Sequence, residues 1–155
     1  MTDEKDVHFM ELALRQAKLA AEEGEVPVGA VVVHNNAVVG RAYNQVELLK
    51  DGTAHAEMIA LTQASSAIGD WRLNECTLYV TKEPCPMCAG AMVNCRLGRL
   101  VFACPDSRMG AAGGAMDLTR LPGALHAVQV DTGPLEEECR QLLQQFFQQR
   151  RKEQS

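Results

Sequence analysis

The sequence has no apolar run near the ~18 residues that a membrane-spanning helix requires, which argues against insertion into a bilayer. It also lacks a basic excess. Fifteen Lys and Arg stand against 20 Asp and Glu, a formal net charge of −5, and that balance excludes a generic basic coat for nucleic acid. The first ten residues open acidic, without the positive and then apolar order of a signal peptide, so export is not expected. No Pro/Gly/Ser-rich linker, internal repeat or low-complexity tract divides the 155 residues, and a single domain over 1–155 is expected. A chain of ~150 residues buries roughly 70% of its unfolded surface, so a disulfide framework is not needed to hold it. The six cysteines therefore read as thiols or metal ligands in a reducing, cytoplasmic compartment.

Periodicity then places the elements. Asp3 can cap a helix through the first 25 residues, with Met10, Leu14, Ala17 and Ala21 at helical spacing and Gly24 as a stop. Val28–His34 and Ala37–Tyr43 are β-branched runs joined by Asn35-Asn36, a pair that tolerates positive φ and suits a hairpin. A polar stretch over 44–53 leads to a helix from Ala54 to about Ser66. Thr77–Thr81 reads as a strand, and Pro86 would open the helix after it. Leu100–Ala103 and Ala127–Val130 are further strands, Met109–Ala115 is a glycine-rich loop, and Pro134–Arg151 is a last helix. The sum is a three-layer α/β/α fold around a central mixed five-stranded sheet.

Chemistry concentrates in Thr53-Ala54-His55-Ala56-Glu57 and Glu83-Pro84-Cys85-Pro86-Met87-Cys88. Cys85 and Cys88 fall in one first turn, where the positive end of the helix favours thiolates. Two thiolates with His55 as third ligand suit zinc, and three protein ligands leave one tetrahedral position for water. Glu57 would point away from His55 if both lay on a regular helix, because two residues advance about 200°. Both reach one pocket only if His55 sits at the non-helical edge of the turn; Glu57 can then move the proton of the activated water. Taken singly, the Cys pair also fits a thioredoxin-type redox site, and the His-x-Glu pair fits an exposed helix face. Jointly they match the His-x-Glu … Pro-Cys-x-x-Cys pattern of zinc nucleobase deaminases.

On these residues, and on Glu25–Ala30, Thr77–Thr81, Cys88–Ala91 and Gly110–Gly113, the chain resembles the cytidine deaminase-like superfamily. Within it, the sequence is similar to the bacterial-type tRNA-specific adenosine deaminases from about Phe9 to Phe147. The resemblance implies a homodimeric, zinc-dependent hydrolase, with one zinc per subunit, that converts the wobble adenosine of a tRNA anticodon to inosine. It implies that His55, Cys85 and Cys88 bind zinc and that Glu57 shuttles the proton. Asn44 would contact the target nucleotide, Asp106 the RNA beside it, and main-chain groups near Ala54 and Pro84 would orient the base. The chain departs from the pattern at Gly52, Lys82, Pro86 and Gly114 and around Cys104, Pro105 and Met109. These departures bear on what enters the pocket and keep open a zinc deaminase of a free base or nucleoside. A non-catalytic zinc module would need a fourth protein ligand.

Four basic side chains over 82–108, against two acidic ones, suggest a local positive rim despite the acidic total. Phe146, Phe147 and Trp71 read as packing residues, His126 as a surface or satisfied histidine, and Cys76, Cys95, Cys104 and Cys139 as free thiols.

Overall fold

The structure is a computed structural model that describes residues 3–154; residues 1, 2 and 155 of the expected domain lie outside the described residues. The first helix, α1, spans Glu4–Glu22. Asp3 caps it, its carboxylate accepting the Lys5 N–H at 3.0 Å, and Gly24 follows its end at φ +76°. Strands β1 (Gly29–His34) and β2 (Ala37–Tyr43) form the expected hairpin. Asn35 and Asn36 take φ of +51° and +63°, the left-handed pair that matches the twist of the two strands. A short helix, α2 (Val46–Leu49), lies within the polar stretch over 44–53. Next come α3 (Ala56–Ile68), β3 (Cys76–Lys82), α4 (Pro86–Asn94), β4 (Arg99–Cys104), β5 (Gln129–Thr132) and α5 (Glu136–Gln154).

The strands order as β2-β1-β3-β4-β5, with β1 antiparallel to both neighbours and β3, β4 and β5 parallel, so the sheet is mixed as expected. Alternation along the strands divides the apolar residues between two cores. Ala30, Val32, Leu78, Val80, Leu100 and Phe102 face α3 and α4. Val31, Val33, Tyr79, Val101 and Ala103 face α1, and Cys139 of α5 joins that core. Gly29 lets α1 lie directly on β1, because a Cβ there would collide with the Ala13 carbonyl and the Ala17 amide.

Three boundaries shift for local reasons. His55 is extended (φ −75°, ψ 150°), so α3 begins at Ala56 rather than Ala54. Leu135 takes φ +69°, which delays α5 from Pro134 to Glu136. The Val128 amide goes to the Thr119 carbonyl and not to the sheet, which moves the last strand to Gln129–Thr132.

One polar network crosses the core on the α1 side. Buried Asp6 accepts from Arg99 at 2.9 Å through both terminal nitrogens and from the Tyr79 hydroxyl at 2.7 Å, while Arg99 Nε reaches Asp131 at 2.8 Å. Arg99 pulls the Asp6 carboxyl below its ordinary range, against the opposing effect of burial. The positive rim suggested over 82–108 is thereby corrected, since Arg99 belongs to this network. Arg96 is also drawn off, lying 6.0 Å from the ring of Trp71. Trp71 is 55% exposed, so it is not the packing residue expected; Arg72 flanks it at 5.3 Å.

Candidate active site

Two helix N-termini meet at the ends of β2, β3 and β4, and each contributes side chains that could hold a metal ion. His55 is the N-cap of α3, so its extended backbone turns the imidazole toward the same space as Glu57, two residues on. Cys85 is the N-cap of α4, Pro86 opens the helix, and Cys88 lies in its first turn. His55 Nδ1 is 3.6 Å from Cys85 Sγ and 3.5 Å from Cys88 Sγ. All three ligand atoms lie within 4.8 Å of one another. A tetrahedral zinc with bonds of about 2.1 Å to nitrogen and 2.3 Å to sulfur would set such atoms about 3.6 Å apart, so the spacing fits. Among the described residues no fourth His, Cys, Asp or Glu joins the cluster.

The hydrogen bond from Cys88 draws the Cys85 thiol down to about 4, while that same bond and burial push the Cys88 thiol up. His55 is raised, chiefly by its hydrogen bond with Cys85. Glu57 is 4% exposed, and burial lifts its carboxyl to about 6. A carboxyl held near neutrality beside a metal-ligand set can both accept and return a proton.

The cluster faces a cleft of ≈ 610 Å³. Its lining includes His55, Glu57, Cys85, Asn44, Lys82 and Asp106, and on the far side α5 supplies Phe146, Phe147, Arg150 and Arg151. Six of the eight site residues expected from the sequence are in or at this cleft, counting Cys88 in the metal cluster. Ala54 and Pro84 do not line it. The Ala54 amide donates to the Asp51 carbonyl and its own carbonyl accepts from Gln45, while the Pro84 carbonyl accepts from Ala111. Asn44 is buried, its amide bonded to the Val28 carbonyl at 3.1 Å. Asp106 is held from several sides. Its Oδ1 accepts the Arg108 and Met109 amides at 2.9 and 3.1 Å, and its Oδ2 pairs with Lys82 Nζ at 3.2 Å.

Two phenylalanines read as core are found here instead. Phe146 is half-buried and Phe147 is 42% exposed. The Arg150 guanidinium lies 4.9 Å over the Phe146 ring and donates to the Gly24 carbonyl, which ties the end of α5 to the loop after α1. His126 is a satisfied histidine, its Nε2 2.7 Å from the Leu97 carbonyl. None of the six cysteines is in a disulfide, which leaves Cys76, Cys95, Cys104 and Cys139 as the free thiols expected.

Sequence reasoning missed two buried carboxylates. Glu25, 1% exposed, accepts the Glu47 and Leu48 amides at 3.0 and 2.7 Å and so anchors α2 beside the cleft. Glu83, 3% exposed, accepts three amides of the loop after β4. Their only signal was position, since each opens a stretch that the sequence had already marked.

Residues 4–151 match the MafB19-like deaminase family. A tRNA-specific adenosine deaminase from Bacillus subtilis is 45% identical over 148 residues, covering 96% of this chain and 92% of that one. A chloroplastic tRNA(adenine(34)) deaminase from Arabidopsis thaliana is 46% identical across 92% of this chain, which spans only 12% of that much longer protein. A solved structure from studies of A-to-I editing by tRNA:A34 deaminases is 41% identical with a TM-score of 0.82, covering 88% of this chain and 99% of that one.

Proposed function

The chain belongs to the MafB19-like deaminases and, by its likeness to full-length relatives, to the tRNA-specific adenosine deaminases, and from that premise we propose that it deaminates the wobble adenosine of a tRNA anticodon to inosine, releasing ammonia. The observation that carries this reading is the juxtaposition of a three-ligand metal cluster and a buried carboxyl in one cleft. A non-catalytic metal module gives no reason to bury Glu57 beside the cluster.

His55, Cys85 and Cys88 would hold one zinc ion, whose Lewis acidity, when bound, activates water for attack at C6 of a flipped-out adenine. Glu57 accepts the water's proton and delivers it to N1. It then takes the second proton, from the hydroxyl now on C6, and passes it to the departing amino group, so that ammonia leaves, the C6 carbonyl forms and hypoxanthine remains on the ribose. Burial suits Glu57 to the first step, because a carboxylate with its proton affinity raised to about 6 takes up a proton more readily than an exposed one. Asn44 binds the target nucleotide and Asp106 the RNA beside it. The main chain at Ala54 and Pro84 acts one step back, in the walls that carry His55 and Cys85. Arg150 and Arg151 offer phosphodiester charge a partner at the far wall, which is how an acidic protein accepts RNA.

We also propose that the protein acts as a cytoplasmic homodimer. Six cysteines without a disulfide among them support the compartment. Leu48 and Leu49, adjacent on α2 and both exposed, support an apolar contact between copies. Among the described residues no helix is long and apolar enough to cross a membrane.

One assay panel tests the reaction. It offers an anticodon stem-loop with adenosine at the wobble position beside free adenine, guanine, adenosine and cytidine, and follows inosine and ammonia. Inosine in the stem-loop is expected. Glu57→Ala should retain metal and lose about 10²–10⁴-fold in turnover. Turnover of a free base with none on the stem-loop would reject the reading.

A further inference from the structure

Glu83 is an acidic side chain almost wholly removed from water, and the hydrogen bonds to its carboxylate come from the main chain. Oε1 accepts the Asp106 N–H at 2.9 Å, and Oε2 accepts those of Ala112 and Gly114 at 3.0 and 2.8 Å. Three donors converging on one carboxylate compensate it as a basic partner would, and they define the course of the loop over 105–114.

The glycines of this loop have the same explanation. A Cβ at Gly110 would collide with the Glu83 carboxyl carbon and the Asp106 carbonyl. One at Gly114 would lie 2.5 Å from Glu83 Oε1. The loop is wrapped so closely around the carboxylate that neither position accepts a side chain. Two further bonds brace the same join. The Ala111 amide donates to the Pro84 carbonyl at 2.8 Å, and the Glu83 amide to the Cys104 carbonyl at 2.8 Å. Lys82, one residue earlier, holds the Asp106 carboxylate at 3.2 Å while Glu83 holds its amide.

We propose that Glu83 is a positioning residue of the candidate active site: it locks the loop over 105–114 to the segment that carries Cys85, so that Asp106 and Met109 stand at a fixed distance from the metal cluster. Because the proposal concerns how substrate is met in the cleft, it rests on the deaminase reading above. A fixed loop presents Asp106 already placed, and the substrate does not have to order it on binding. The cost of loosening it falls on substrate capture, with the chemistry at Glu57 left intact.

Glu83→Gln is the direct test, in the zinc-loaded full-length protein. The amide keeps the shape but must turn an NH₂ group toward at least one main-chain donor. Hydrogen exchange at the amides of Asp106, Ala112 and Gly114 should quicken about tenfold or more, without a matching change in the strands. KM for the stem-loop should rise about 5–20-fold with kcat within about threefold, and metal content should be unchanged.

Gly114→Ala perturbs the same join from the loop side and leaves Glu83 itself intact, so it decides the matter if Glu83→Gln fails to fold. It should give the same rise in KM at full metal content. An unchanged KM in the folded variants overturns the proposal, as does metal loss, which would make Glu83 a support of Cys85 alone. If the wild-type protein leaves the stem-loop untouched, the deaminase reading fails instead, and the exchange rates at the three amides still decide whether Glu83 locks the loop.

Discussion

Replacing Asp6 with Asn removes one negative charge from the network that joins α1 to β3 and β4 and changes almost no volume. In the wild-type protein Asp6 accepts two bonds from Arg99 and one from Tyr79, all at 2.9 Å or less. Breaking a buried ion pair by removing one partner costs about 3–5 kcal/mol. Arg99 retains Asp131 at 2.8 Å and is 28% exposed, so its charge is not stranded, and the asparagine oxygen can still accept one bond. These compensations bring the expected loss to about 2–3 kcal/mol at pH 7, from that range and from ~1.5–3 kcal/mol per charged hydrogen bond. At about 2–4 °C per kcal/mol for a chain of this size, the melting midpoint falls by about 5–10 °C.

Urea titration followed by circular dichroism measures it, with wild type and variant compared across pH. The Asp6 carboxyl is depressed below its ordinary 3.8 in the folded protein. Its contribution is therefore complete above the unfolded value and is lost as pH falls through the lower folded value. The gap between wild type and variant should be constant above about pH 5 and should close in stronger acid. A gap under about 0.5 kcal/mol at pH 7, or one that widens as acid is added, would refute the assignment of this stabilisation to the Asp6 charge.

Three other outcomes follow from the geometry. His55→Ala leaves two thiolates and should weaken zinc binding by more than about 100-fold, beyond the 10–100-fold that loss of a supporting contact costs; elemental analysis after dialysis reads it. Glu25→Gln replaces a carboxylate that accepts two amides of α2. A loss of about 1–3 kcal/mol is expected, with faster hydrogen exchange at Glu47 and Leu48. Gly29→Ala drives a methyl group into the backbone of α1. It should cost about 1–3 kcal/mol or more in thermal and urea melts, with metal content intact.

The convergence of His55, Cys85 and Cys88 was legible because they sit at helix starts, where local spacing and a single proline define the geometry. The requirement that His55 lie just outside its helix followed from the 100° step alone, and the backbone meets it. The hairpin was legible in the same way, from two asparagines that tolerate positive φ. Glu25 and Glu83 were not legible, because their partners lie 22–31 residues away and are main-chain amides that any sequence supplies. Arg99 counted toward a positive rim until its partners, 93 residues earlier and 32 later, came into view. Phe146 and Phe147 have the spacing and composition of core residues; only the packing of α5 against the cleft shows their place.

The far wall of the cleft also has a position in time. His55, Cys85 and Cys88 have all been synthesised by residue 88, whereas Phe146 and Arg150 come at least 58 residues later. At ~5–20 residues per second, translation separates them by about 3–12 s. In every round of synthesis the ribosome therefore emits His55, Cys85 and Cys88 before the helix that walls them in, and the link from Arg150 to Gly24 can form only after that helix has been made.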